Sequence, residues 1–224
     1  MTLPERPILL LHGLWLRSPS LLPLARRLRA AGFECQRFDY VTVGDTPERA
    51  AEQLCQQLRD AAPARVDLVA HSLGGMIALE ALRRVPELGV HRVVCLGSPL
   101  RGSSTAAALA RWRIGPTLLG RSADLLQNGL PDWQGRAEVG VIAGSRPLGL
   151  GRLIHRLPPP HDGTVRVAET ELPGLADHLV LDTTHTGMLF SPAVARQVVA
   201  FLHDGRFAHA APEASIRHGS PPRA

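Results

Sequence analysis

Apolar residues gather in six short runs along the chain, separated by stretches in which they recur at helical spacing. The runs are Pro7 to Leu11, Glu34 to Asp39, Val66 to Ala70, Arg92 to Leu96, Val139 to Ala143 and Leu179 to Leu181. Most are continuous rather than alternating, as expected of strands in a parallel sheet with both faces covered. Between them, Thr46-Pro47-Glu48 supplies an N-cap, a proline at the first helical position and an early acid. Ala51, Leu54, Cys55 and Leu58 then follow at i, i+3, i+4 and i+7. Ser191-Pro192 opens a last helix with Val194, Val198, Phe201 and Leu202 on one face, and a helix near Leu21 to Ala30 takes Pro23 in its first turn.

Strands alternating with helices predict an α/β fold: an open, mostly parallel six-stranded sheet with helices on both faces. Functional residues in such sheets gather at the carboxyl ends of the strands. At 224 residues, one domain over 1–207 is expected, followed by a disordered tail over 208–224 that has lost periodicity. Two segments break the rhythm. Residues 101–130 are Ala-rich and Arg-bearing, a candidate lid or cap insertion. Residues 145–160 carry Leu148, Leu150, Leu153 and Ile154 among glycines and prolines. Insertions of this length near strand ends are usually functional or disordered.

Charge alters this picture little. All 25 basic residues are arginine, and the net charge is +5. The arginines are scattered, only one tyrosine is present and no nucleic-acid motif occurs, so no nucleic-acid partner is expected. Residues 101–123 hold four arginines and no acid, which suits either a solvated basic helix face or transient contact with a lipid surface. Cys35, Cys55 and Cys95 cannot all pair and lie in apolar surroundings. Buried free thiols are expected, as in a reducing compartment. No apolar run reaches the roughly 18–20 residues of a membrane span, and the N-terminus lacks the features of a secretory signal. A cytoplasmic protein is expected.

The chemistry centres on Val66 to Gly75. An apolar strand runs into Ala70-His71-Ser72-Leu73-Gly74, then into the helical sequence Met76 to Leu82. Strand, sharp turn with a serine, then helix is the context of a nucleophile elbow, whose crowding requires small residues two before and two after the serine. Here they are Ala70 and Gly74. A serine hydroxyl needs a base, and the base needs a group that holds its tautomer. Elbow hydrolases provide these in the chain order Ser, acid, His. Asp162 and His185 each follow a predicted strand in that order. Asp177 and Asp182 are alternative acids, but Asp182 is only three residues before His185 and badly placed to approach its ring. His12 and His71 lie near the site, and Ser98 before Pro99 suits a turn.

The chain resembles the α/β-hydrolase superfamily, and within it the small bacterial lipase and esterase group, over about residues 7 to 203. The resemblance is carried by Leu11-His12-Gly13-Leu14-Trp15, the Ala70–Gly75 elbow, Leu96-Gly97-Ser98-Pro99 with Arg101-Gly102-Ser103, Asp162-Gly163-Thr164-Val165 and His185-Thr186-Gly187-Met188. It implies a minimal α/β-hydrolase fold with Ser72 as nucleophile, Asp162 as orienting acid and His185 as general base. The backbone N–H groups of Leu14 and Leu73 would form the oxyanion hole. Leu118, Leu119, Leu148 and Leu153 are expected to wall a pocket for an acyl chain. The function this implies is hydrolysis of a small-molecule carboxylic ester, medium-chain or lipid, through an acyl-enzyme, without metal or cofactor. Acyl transfer by the same triad and non-catalytic binding are the alternatives.

Overall fold

The computed structural model describes residues 6–61, 65–149 and 156–209. Six strands form one sheet: β1 (Ile8–Leu11), β2 (Cys35–Phe38), β3 (Val66–His71), β4 (Val90–Leu96), β5 (Glu138–Gly144) and β6 (Asp177–Leu181). Their order is β2-β1-β3-β4-β5-β6, and every pairing is parallel. Each run expected from the sequence is a strand, shifted by no more than two residues at either end.

The continuous apolar runs have a direct cause. Successive side chains of a strand point to opposite faces, and each face of this sheet is buried under helices. Leu9 and Leu11 of β1 enter one core with Leu68 and Ala70 of β3 and Val139 and Val141 of β5. Ile8, Leu10, Val69 and Ile142 enter the other. The first core is closed by α2 (Pro47–Asp60) and α3 (Leu73–Arg84), and the second by α1 (Leu22–Ala30) and the C-terminal helix. The helix starts follow the sequence signals. Thr46 Oγ1 accepts a hydrogen bond from Arg49 N at 3.2 Å, capping α2, and Pro23 lies in the first turn of α1.

The segment expected as an insertion forms three short helices, α4 (Ser104–Ala110), α5 (Gly115–Leu119) and α6 (Ala123–Asn128). Their inner residues Ala106, Leu109, Leu119 and Leu126 join the first core. A single helical turn, α7 (Val167–Thr170), precedes β6, and α8 (Pro192–Asp204) ends the described fold, with Ser191 Oγ accepting from Val194 N at 3.3 Å. Leu150, Leu153, Ile154 and residues 210–224 of the expected tail lie outside the described residues.

This topology determines where a site forms. The chain leaves β1 toward β2 on one side and later adds β3 on the other. The carboxyl ends of β1 and β3 therefore flank the switch point at which ligands bind in open α/β sheets. The register sets Leu11 beside Ala70 and His71 beside Leu96, so the segments led by His12, Ser72 and Gly97 leave the sheet together.

Candidate active site

Ser72 sits between β3 and α3 with φ 54° and ψ −122°, a conformation strained for any residue with a Cβ and costing about 1–3 kcal/mol. The surroundings hold it there. Ser72 N donates to Leu96 O at 2.8 Å, and Ser72 O accepts from Gly75 N at 3.1 Å. The small residue after the turn is required by contact: a Cβ on Gly74 would stand 2.7 Å from the His12 carbonyl oxygen. Leu73 is the first residue of α3, so its N–H has no intrahelical acceptor. Leu14, after β1, lines the adjoining cavity, and among the described residues its N–H makes no hydrogen bond.

The β1 exit loop is anchored by His12, which is buried. Its carbonyl accepts from the Tyr40 hydroxyl at 2.6 Å, and its ring stacks on Tyr40 at 4.4 Å. Nδ1 contacts Gly13 O at 3.1 Å and Nε2 lies 3.1 Å from Asp39 Oδ1. Burial lowers the His12 pKa, and the bonds to Gly13 and Asp39 offset only part of that.

Asp162 and His185 form a buried pair, with His185 Nδ1 2.7 Å from Asp162 Oδ2. The other carboxylate oxygen accepts from Thr164 N at 2.9 Å and Val165 N at 2.7 Å, while His185 N donates to Asp162 O at 2.9 Å. Burial opposes ionisation of Asp162. The facing His185 and the two backbone donors outweigh it, and the carboxyl pKa lies below its usual value. A carboxylate only accepts hydrogen bonds, so the proton of a neutral His185 is placed on Nδ1, which leaves Nε2 to take another. Gly97 makes the pair's position accessible. It has φ +58°, and a Cβ there would come within 3.0 Å of His185 Nδ1 and 3.1 Å of Asp162 Oδ2.

The two other acids stand elsewhere. Asp182 is 70 % exposed and pairs with Arg146 at 2.6 Å. Asp177 starts β6, at the opposite end of the sheet, and accepts from Phe207 N and His178 N.

His71, next to Ser72, is buried against His185, with ring centroids 4.7 Å apart. Its Nε2 lies 3.0 Å from His185 O, so this nitrogen donates, and Nδ1 is buried with no hydrogen-bond partner. Burial pushes the imidazole down to about 3. The unfolded chain, with an ordinary histidine, binds a proton below about pH 6.5 that the folded chain refuses. The stability contribution is therefore complete above pH 6.5 and is lost progressively as pH falls toward 3. His71→Gln should flatten the rise of unfolding free energy with pH in that window by up to about 1.4 kcal/mol per pH unit. Denaturant melts at several pH values check this, and an unchanged slope would count against a buried neutral His71.

A cavity of about 580 Å³ opens beside these groups. Ser72, His71 and His185 line it, with Leu14, Trp15, Leu16, Ala106, Leu109, Leu119, Leu126 and Leu148 supplying most of the apolar wall. Among the described residues no hydrogen bond joins Ser72 Oγ to His185, although both face this space. Of the leucines expected in the wall, Leu119 and Leu148 are present and Leu153 lies outside the described residues. Leu118 is absent from the lining: it packs against the core, and its carbonyl accepts from Trp15 Nε1 at 2.8 Å. Sequence reasoning missed Ala106 and Leu109, whose i, i+3 spacing within the Ala-rich stretch would have marked an inward helix face. Trp15 carried no such signal, because its position depends on a φ of 60° in the β1 exit loop. The α4 segment also braces the acid loop: Thr105 Oγ1 donates to Thr164 O at 2.6 Å, and Glu169 accepts from Ser104 N at 2.9 Å.

An all-parallel sheet of this order, with a strained serine turn after β3 and a buried Asp–His pair at neighbouring strand ends, is the α/β-hydrolase fold. The chain belongs to the family described as a domain of unknown function, DUF7379, whose family model matches residues 6–145. The Bacillus licheniformis lipase BlEst2 in mature form is 20% identical over 90% of this chain and 92% of that one, with a TM-score of 0.72. The metagenomic carboxyl esterase MGS0156 is 17% identical over 82% of this chain and 65% of that one, with a TM-score of 0.67. Alpha/beta hydrolase domain-containing protein 10 from mouse is 14% identical over 88% of each chain, with a TM-score of 0.61. At these identities the likeness concerns the fold. No curated protein sequence matches the chain. Among the described residues, no helix is long and apolar enough to cross a membrane.

Proposed function

We propose that the protein hydrolyses carboxylic esters by an acyl-enzyme route, with Ser72, His185 and Asp162 as its catalytic triad. The observation that carries this reading is the buried Asp162–His185 pair at 2.7 Å, set beside a cavity that the elbow serine also lines. Ser72 Oγ attacks the ester carbonyl carbon while His185 Nε2 takes its proton. The resulting oxyanion is met by the N–H groups of Leu14 and Leu73, an arrangement in which one lost donor typically costs about 10²–10³ in rate. Collapse of the tetrahedral species breaks the bond to the alcohol oxygen, which leaves with the proton from His185. Water, deprotonated by the same imidazole, then attacks the acyl-serine; collapse of that second tetrahedral species breaks the acyl–Oγ bond, returns the proton to Ser72 and releases the acid. Asp162 stays ionised throughout and stabilises the transient imidazolium.

The apolar wall favours an acyl chain over a polar or highly charged substrate. Ala106, Leu109, Leu119 and Leu126 contribute to that wall, and Ser103, Thr105 and Thr186 are among the hydroxyl-bearing residues of the lining. Cys35, Cys55 and Cys95 are buried and unpaired, which supports a cytoplasmic location.

With p-nitrophenyl esters from acetyl to palmitoyl, the purified protein should release a first equivalent of nitrophenol in a burst, followed by slower steady turnover. Medium-chain members are expected to give the highest kcat/KM. Absence of both burst and turnover across the series would overturn the reading.

A further inference from the structure

We propose that the exposed corner between α4 and α5, residues Arg111-Trp112-Arg113-Ile114, docks the protein onto an anionic lipid surface. All four residues are solvent-exposed, Trp112 at 44% and Ile114 at 59%. Single exposed apolar residues are ordinary, but two large ones within three positions, interleaved with cations, are not. The corner is held in this shape by its backbone. Trp112 N donates to Leu109 O at 2.9 Å, and Gly115 N donates to Trp112 O at 3.0 Å. Gly115 packs so closely on Leu109 O that no Cβ fits there. The two side chains are thereby presented outward while Leu109 turns into the core.

Charge selects the partner. No acidic residue occurs between Arg101 and Ala123, and among the described residues neither Arg111 nor Arg113 has a carboxylate partner. Indole and branched aliphatic groups settle at the boundary between headgroups and acyl chains, and adjacent guanidinium groups are drawn to anionic headgroups. Along the chain the corner lies between two cavity-lining residues, Leu109 and Leu119. Leu118 N donates to Ile114 O, and the Leu118 carbonyl accepts from the indole of Trp15, a cavity-lining residue that is itself 47% exposed. Ile114 and Trp15 are thus linked through α5, which is only about 7.5 Å long at the usual helical rise. A protein docked by this corner brings Trp15, and with it the cavity wall, near the lipid.

The docking goes beyond the hydrolase reading and is independent of Ser72 chemistry, so it is tested in the full chain carrying Ser72→Ala. Co-sedimentation with phosphatidylglycerol vesicles at low salt should capture the protein, with little capture by phosphatidylcholine vesicles or at high salt. The paired change Arg111→Gln with Arg113→Gln should weaken binding by about tenfold or more. Trp112→Ser with Ile114→Ser should do the same, while both pairs, in the Ser72 chain, leave turnover of a soluble short-chain ester unchanged. No capture by phosphatidylglycerol vesicles, or equal capture of the variants, would overturn the proposal. It would also be overturned by a dimer in sedimentation velocity that Trp112→Ser abolishes, without vesicle binding, since the corner would then be a contact between copies of this chain.

Discussion

Replacing Ser72 by alanine should abolish labelling by a fluorophosphonate probe and lower ester turnover by a factor on the order of 10⁶, the loss typical when a triad nucleophile is removed. In the proposed mechanism the effect is large because the other groups of the site act through this oxygen. In that mechanism His185 deprotonates Ser72, and the N–H groups of Leu14 and Leu73 would stabilise an oxyanion that forms only after attack. The substitution removes one oxygen from a half-buried side chain and leaves the positive φ in place, so the melting temperature should change little. Intact-mass analysis after probe treatment, followed by peptide mapping, provides the check. Ser103 also lines the cavity and is the natural competitor. Persistent labelling at Ser103 in the variant, with turnover retained, would move the nucleophile there.

Asp162→Asn should lower kcat by about 10⁴, whereas Asp182→Asn should leave it within about twofold. The difference follows from what each carboxylate touches. Asp162 Oδ1 accepts from two backbone N–H groups, so an asparagine at this position keeps its carbonyl oxygen there and turns its NH₂ toward His185. Nδ1 must then accept, the ring proton moves to Nε2, and in the proposed mechanism the base would lose the lone pair that receives the serine proton. Asp182 is exposed and, among the described residues, paired with Arg146 alone, a contact worth little in water. Steady-state kinetics on the two variants, with circular dichroism to verify folding, decide the matter. The reverse ranking would transfer the acid's role to Asp182.

The acid illustrates how far the chain could be read by itself. Asp162, Asp177 and Asp182 all lie between Ser72 and His185, and spacing excluded only Asp182, on the ground that three residues leave too little chain to approach the ring. The fold separates the others: Asp177 begins β6 at the far end of the sheet, while Asp162 follows β5 at the near end. Gly97 had no separate signal, since its role depends on a pair assembled from two segments that follow it by 65 and 88 residues. The cavity wall was the least legible part. Leu118 and Leu119 are neighbours of the same residue type, yet only Leu119 faces the cavity, because the rotation of a five-residue helix is decided by what packs on it.

The six strands, the principal helices and the serine turn were determined by the sequence alone. Each rests on local physics: apolar runs that must be covered on both faces, caps that satisfy free N–H groups, and small residues where a turn is crowded. The order of the strands and the composition of the cavity wall were decided only by the tertiary structure, which also brings together Asp162 and His185, the pair named from the sequence. Those depend on groups far apart in the chain meeting at the switch point between β1 and β3, a meeting that short-range pattern does not encode.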